Sequence, residues 1–89
     1  MRRRPILEAL RRARGGVAAV SESTGFARST LYDFASRRWS RQPYATSRAI
    51  AQALVKLWPE DAGERPKVAD LTEQLLAWHT SLPAARRGA

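Results

Sequence analysis

Glycine and proline divide this sequence into short segments, and each segment has the apolar spacing of an α-helix rather than of a strand. The first helix begins at Pro5, a residue suited to a first helical turn, and ends at the Gly15-Gly16 pair. Four more helices are predicted at about 17–24, 28–37, 45–58 and 66–81. A chain of 89 residues has room for one modest core. We therefore predict a small all-α domain of five helices.

The first four predicted helices each carry an apolar side that indicates which residues face the core. An amphipathic helix buries residues spaced three and four apart. The residues expected inside are Ile6, Leu7, Leu10 and Ala13, then Val17, Val20, Ser21 and Thr24, then Leu31, Phe34 and Ala35, and finally Ala49, Ile50, Ala53, Leu54, Leu57 and Trp58.

Positive charge is concentrated in the first half of the chain. The formal net charge is +8, and residues 1–48 hold eleven arginines against three acidic residues, whereas the acidic and basic residues of 49–89 balance. Arginine suits phosphates and guanine edges better than lysine does, because its planar fork donates two parallel hydrogen bonds. This asymmetry indicates a polyanionic partner. The alternative is a general excess of arginine that has no partner.

The sequence gives little support to other classes of protein, such as membrane proteins, secreted proteins and enzymes. There is no cysteine for a disulfide or thiolate metal site, and no apolar run approaches the length of a membrane span. Arginines interrupt the N-terminal segment, so we predict no signal peptide and expect a cytoplasmic or nucleoid location. No catalytic constellation is recognisable, and His79 is expected to face solvent. We expect no enzymatic activity, no cofactor and no small-molecule ligand.

Residues 17–36 have the pattern of two short helices joined by a tight turn. Gly25 can supply the left-handed residue that such a turn needs. Ser21 is small where the helices would come closest, and Phe26 and Leu31 would fill the space between them. The outer face of the second of these helices would then present short polar groups and Arg28, as a helix that reads a DNA major groove does. A pair of ordinary core helices produces the same turn, so this alternative stays open.

A resemblance extends this interpretation. The run from Gly25 to Ser36, followed by Pro43, Thr46 and the segment Ala49–Leu54, resembles the phage Cro/repressor helix-turn-helix (XRE-type) family over roughly residues 5–58. The order of five helices also resembles the phage lysogeny activators. The resemblance implies a lambda-repressor-like fold and a double-stranded DNA-binding transcriptional regulator, a repressor that acts as a dimer. If a phage encodes the chain, the expected location is the host cytoplasm.

Three residues depart from the family's usual pattern. Ala27 stands where a capping Ser or Thr is usual, Ser21 where Ala is usual, and Val17 where many members have a Gln that braces a phosphate and a recognition residue. The first change removes a helix cap, and the third puts the usual geometry of base contacts in doubt.

Residues that would contact DNA are carried over from the resemblance. Arg28 would read guanine or bind a phosphate, and Tyr32 would contact a thymine methyl or a phosphate. Asp33 would accept a hydrogen bond from cytosine, or pair with Arg37 four residues later, which we favour. The positions that match the family's base-facing or backbone-facing residues are Ala27, Arg28, Ser29, Tyr32, Asp33 and Ser36.

A basic connection follows the predicted recognition helix. Its arginines are expected at the DNA backbone, where contacts set affinity rather than sequence choice. Trp39 is expected to cover the core rather than to stack on a base. The N-terminal arginines would form an arm into a neighbouring groove or a disordered tip. These basic residues are Arg37, Arg38 and Arg41 in the connection, and Arg2, Arg3 and Arg4 at the N-terminus.

The fifth predicted helix carries an apolar seam spaced alternately three and four residues. We predict that this seam forms a dimer interface, and the alternative is that it packs on its own domain. The chain would then comprise a helix-turn-helix domain at 1–58, an acidic turn at 59–65, a dimerisation helix at 66–82 that Pro83 ends, and a flexible tail at 83–89. The seam residues are Val68, Leu71, Leu75, Trp78 and Leu82.

Two other functions stay open at this point. A transcriptional activator or an antitoxin-like autoregulator would have the same helices and charges as a repressor. A basic protein-interaction module that binds an acidic partner would share the charge but would not prefer one DNA sequence.

Overall fold

A computed structural model describes residues 5–36 and 42–88, with the side chains of 6–36 and 42–79. Within these ranges the protein is all-α, contains no strand and has five α-helices, as predicted. The helices are α1 (Pro5–Arg12), α2 (Gly16–Thr24), α3 (Arg28–Ala35), α4 (Pro43–Lys56) and α5 (Val68–Gly88), with a 3₁₀ turn at Glu60–Ala62 between the last two.

A single apolar cluster joins all five helices. Its fully buried members come from α1 to α4, and α5 adds Leu75 at its edge. Helix α2 packs against α1, α3 and α4, and α4 also packs against α5, so these two helices connect the rest of the domain. The largest apolar side chains that the cluster buries completely are Leu10, Val20, Leu31, Phe34 and Ile50.

The end of α1 is attached to the end of α4 through Arg14. The backbone N–H of Arg14 donates to the carbonyl oxygen of Leu57 at 2.8 Å. Its guanidinium donates to the carbonyl oxygen of Lys56 at 3.2 Å. A helix leaves its last carbonyls without internal partners and has a partial negative charge there, so an arginine stabilises this end. Arg14 therefore has a structural role that its membership in the basic half does not indicate.

The segment between α4 and α5 is folded back on Trp58. The indole N–H of Trp58 donates to the carbonyl oxygen of Gly63 at 3.2 Å, which closes the acidic turn. The backbone N–H of Ala62 also donates to the carbonyl oxygen of Pro59, at 3.2 Å. This turn brings the chain from the end of α4 to the start of α5, so that the two helices pack together.

The apolar seam of α5 packs on its own domain, which is the alternative to the dimer interface that we predicted from the spacing. Leu75 is only 5% exposed within one chain, and Val68, Leu71 and Trp78 are half-buried against the core. A domain this small needs the apolar side of every helix to close its core. Leu75 is therefore unable to act as the exposed centre of a dimer surface, and the side chain of Leu82 lies outside the described residues.

Several helix boundaries differ from the predicted ones, and two of the differences have a physical explanation. Helix α4 begins at Pro43 rather than near 45, since proline is well suited to the first helical position. The backbone of α5 continues past Pro83 to Gly88 instead of ending at 82. A proline inside a helix removes one hydrogen bond, but alanine and arginine, which follow it, are among the best helix formers. Residues 83–88 of the segment predicted as a flexible tail thus have a helical backbone.

Candidate nucleic-acid interface

The turn between α2 and α3 is built around Gly25 and two hydroxyl groups. Gly25 has a φ of 82°, in the left-handed region, and its N–H donates to the carbonyl oxygen of Ser21 at 2.8 Å. The hydroxyl of Thr24 donates to the carbonyl oxygen of Val20 at 2.9 Å and accepts the N–H of Phe26 at 3.1 Å. The hydroxyl of Ser21 donates to the carbonyl oxygen of Phe26 at 2.6 Å. These bonds hold the two helices at a defined angle.

The hydroxyl bonds of the turn were not predicted. From the sequence, Ser21 is expected only to be small where the helices come closest, and Thr24 only to face inward. The structure adds a donor role for Ser21 and a double role for Thr24. Ser and Thr side chains commonly bond to the backbone near helix ends, so their position just before Gly25 was the available signal.

The inner side of α3 anchors the helix in the core. Leu31, Phe34 and Ala35 are buried, as predicted. Ala27 is the N-cap residue, with an extended backbone and no side-chain cap. Its carbonyl oxygen accepts the N–H groups of Thr30 at 3.0 Å and of Leu31 at 3.2 Å. Packing rather than capping therefore holds the start of α3.

The outer side of α3 presents the residues that we predicted for DNA contact. Tyr32 is 41% exposed, while Asp33 is half-buried. Helical periodicity places Arg28, Ser29 and Tyr32 next to one another on one face. This face offers hydrogen-bond donors, acceptors and an aromatic ring, the groups that read base edges in a major groove. The other four predicted positions are all exposed: Ala27, Arg28, Ser29 and Ser36.

Several predicted contacts lie outside the described residues. These include the pairing of Asp33 with Arg37, which stays a prediction. The others are Arg2, Arg3 and Arg4 at the N-terminus and Arg38, Trp39 and Arg41 in the basic connection.

Two further side chains near the start of α4 were not singled out in the sequence. Tyr44 is 58% exposed, and Arg48, one helical turn later, is also exposed. Because residues four apart share a helix face, the two form an aromatic and cationic pair of positions directly after the basic connection. The available signal was an aromatic residue directly after Pro43, because this position lies at the start of a helix and before the first buried residues of that helix.

His79 is buried behind α3, so the prediction that it faces solvent was wrong. It is 2% exposed, and its ring stacks on that of Phe34 with the centroids 4.3 Å apart and an angle of 4° between the planes. Thr72 and Leu75 are also buried on α5. The spacing of these residues and His79, three and then four apart, is that of one buried helix face. Helix α5 thus supports the rear of the helix whose front carries Arg28.

Neither comparison with known proteins nor a search of the described residues for metal and membrane-spanning sites identifies a second candidate functional site. Comparison with protein-family models, curated proteins and solved structures finds no match to this chain. Among the side chains that the structure describes, no group of His, Asp and Glu could hold a metal ion. No described helix combines the length and the apolar character needed to cross a membrane. The exposed face of α3 is therefore the candidate site.

Proposed function

We propose that this chain is a sequence-specific, double-stranded DNA-binding transcriptional regulator that places α3 in a major groove. The observation that carries the proposal is the two-sided character of α3. Its inner side is buried and its outer side exposes Arg28, Ser29 and Tyr32, while the turn at Gly25 is fixed by backbone and hydroxyl bonds. A rigid, exposed polar helix is what direct readout of base edges requires.

The distribution of charge supports the same function. The net charge of +8 arises entirely from residues 1–48, which contain α1, α2 and α3. Arg11, Arg12 and Arg28 are exposed. Exposed arginines bind phosphates and release counterions, which contributes affinity for any duplex. Sequence choice would then come from α3, with Arg28 as the reader of guanine.

The test compares two duplexes, one selected from a random pool by the full chain and one scrambled. Fluorescence anisotropy at about 150 mM salt should show a preference of about 10³-fold or more for the selected duplex. Arg28→Ala should remove most of that preference. Arg65→Ala is the matched control, because it also removes one exposed arginine but lies beyond α4, and it should leave the preference intact. Equal affinity for both duplexes in the wild-type protein would contradict the proposal.

The salt dependence separates this function from the basic protein-interaction module. Binding through roughly six phosphates should give a log–log salt slope near −5, and binding to one acidic protein surface has no reason to follow that slope. A shallow slope and no duplex preference would favour the interaction module.

Repression by a dimer is the finer part of the proposal. Two copies would read two half-sites about one helical turn of DNA apart. Sedimentation equilibrium of the full chain, with and without a two-fold symmetric selected duplex, measures the number of copies bound. A reporter gene with the selected duplex inside its promoter distinguishes repression from activation. A single copy on the symmetric duplex would contradict the dimer.

A further inference from the structure

Phe26, which lies between the turn at Gly25 and the start of α3, has both of its backbone polar groups bonded to hydroxyls of α2. Its carbonyl oxygen accepts the hydroxyl of Ser21 at 2.6 Å. Its N–H donates to the hydroxyl oxygen of Thr24 at 3.1 Å. We call these two bonds the hydroxyl clamp. Because Ala27, the N-cap residue of α3, follows directly, the clamp holds the peptide units from which α3 begins.

The first turn of α3 lacks the side-chain cap that usually fixes a helix start. Ala27 is the N-cap residue, and its side chain has no oxygen to accept the N–H groups of that turn. Among the described helices, α3 packs mainly on α2 and α1, and the side chain of Phe26 packs against the core. The clamp therefore supplies, from α2, polar contacts that fix the direction in which α3 leaves the turn.

Direct readout of a base depends on that direction. A good hydrogen bond keeps its donor–acceptor distance within roughly a few tenths of an ångström and its angle near linear. Arg28 opens α3 directly after Phe26 and Ala27, so a rotation of the Phe26 peptide units moves the base-facing positions of the helix. Phosphates recur along the whole duplex and carry no sequence information, and long arginine side chains can follow them through the same movement. A looser turn would therefore weaken base contacts more than phosphate contacts.

We propose that the hydroxyls of Ser21 and Thr24 are positioning groups for DNA readout, which hold the start of α3 where Arg28 reaches a base edge. This inference rests on the proposed DNA-binding function. Both residues are half-buried and bonded to Phe26, so they act through the backbone of the turn and need no DNA contact of their own. Sequence discrimination is thereby assigned in part to α2, outside the exposed face of α3.

The binding test uses full-chain variants that each remove one bond of the clamp, with the selected and scrambled duplexes. Ser21→Ala removes the donor to Phe26, and Thr24→Val removes the acceptor while keeping the shape of the side chain. Each should reduce the ratio of the two affinities about 3- to 10-fold, the factor that corresponds to one ordinary hydrogen bond. Binding to the scrambled duplex should stay nearly unchanged. Thr24→Ser, which retains the hydroxyl, should restore the discrimination that Thr24→Val loses.

Two control variants separate positioning from a general loss of stability. Ile50→Val removes one methyl group from the core on α4 and should lower stability about as much as the loss of a hydrogen bond does. Ser23→Ala removes an exposed hydroxyl of α2 that lies outside the clamp. Both should discriminate between the duplexes as the wild-type protein does. An equal loss of discrimination in Ile50→Val, or full discrimination in both clamp variants, would overturn the inference.

A second measurement needs no DNA. The amide hydrogen of Phe26 in the free protein, followed by NMR, should exchange with solvent about 3- to 10-fold faster in Thr24→Val, and at the wild-type rate in Thr24→Ser. Unchanged exchange in Thr24→Val would overturn the clamp itself. If the wild-type protein has no duplex preference, the proposed function fails and the discrimination role of the clamp fails with it. Faster exchange in Thr24→Val would then still establish the bond between Thr24 and Phe26.

Discussion

The imidazole of His79 lies parallel to the ring of Phe34, with the two centroids 4.3 Å apart. Phe34 is one of two fully buried residues of α3, and His79 comes from the middle of α5. The contact links the last helix of the chain to the helix that carries the candidate DNA-reading face. A ring contact therefore joins α3 to α5, although the two helices are distant in sequence, and α3 also packs on α1 and α2.

His79→Ala should reduce the free energy of unfolding by about 2–4 kcal/mol, the usual range when a large buried side chain is truncated. The loss arises from the missing ring contact and from the cavity left beside Phe34. Urea unfolding followed by circular dichroism measures it. Glu73→Ala, an exposed change on the same helix, should alter stability by less than about 0.5 kcal/mol. A loss no larger than the control's would contradict the packing role.

Leu75→Asp should prevent cooperative folding rather than produce a folded monomer. The side chain is 5% exposed inside a single chain, and burying an unpaired carboxylate costs several kcal/mol. Far-ultraviolet circular dichroism and a thermal scan measure the loss of the transition. Exposed Ala77→Asp on α5 is the control and should still unfold cooperatively. A folded, monomeric Leu75→Asp protein would show instead that the seam serves a second copy.

Two serine-to-alanine changes should alter the free energy of unfolding in opposite directions. Ser21 donates to Phe26 in the turn, so Ser21→Ala should cost about 1 kcal/mol. Ser47 is fully buried in α4, and its hydroxyl has no hydrogen-bond partner among the described residues. Ser47→Ala removes a buried polar atom that lacks a partner and should therefore stabilise the domain by about 1 kcal/mol. Chemical denaturation of both variants tests the pair, and a loss of stability in Ser47→Ala would indicate a partner outside those residues.

The two glycines that flank α2 should respond differently to alanine. Gly25 has a φ of 82° but open space around an added Cβ, so Gly25→Ala should cost only the backbone strain, about 1–2 kcal/mol. At Gly15, with a φ of 86°, an added Cβ would also lie 2.6 Å from the Cβ of Ala19. Gly15→Ala should therefore cost more than Gly25→Ala in the same denaturation experiment. Equal costs would mean that the start of α2 moves aside easily.

The number and order of the helices could be predicted because local signals mark them. Gly25 has the left-handed backbone that a tight turn needs, and the apolar spacing of 28–37 correctly indicated that Leu31, Phe34 and Ala35 face inward. Such signals depend on neighbours within one or two helical turns, which the sequence displays directly. The exposed face of α3 follows from the same periodicity.

The partners of each apolar face could not be predicted, because periodicity identifies a face without identifying what covers it. The spacing of the α5 seam predicts a dimer surface, but the seam closes the core. The sequence also predicts that His79 faces solvent, although this residue continues the buried face after Leu75. In both cases the deciding factor is packing between different helices, α4 and α5 for the seam and α3 and α5 for His79.

Residue type and local spacing alone specify the helices, the left-handed turn at Gly25 and the concentration of arginine in the first half. The packing of the helices was needed to show that His79 of α5 stacks on Phe34 of α3, and that Leu75 closes the core within one chain. These relationships depend on how close-packed helices approach one another, and spacing along a single helix does not specify that approach.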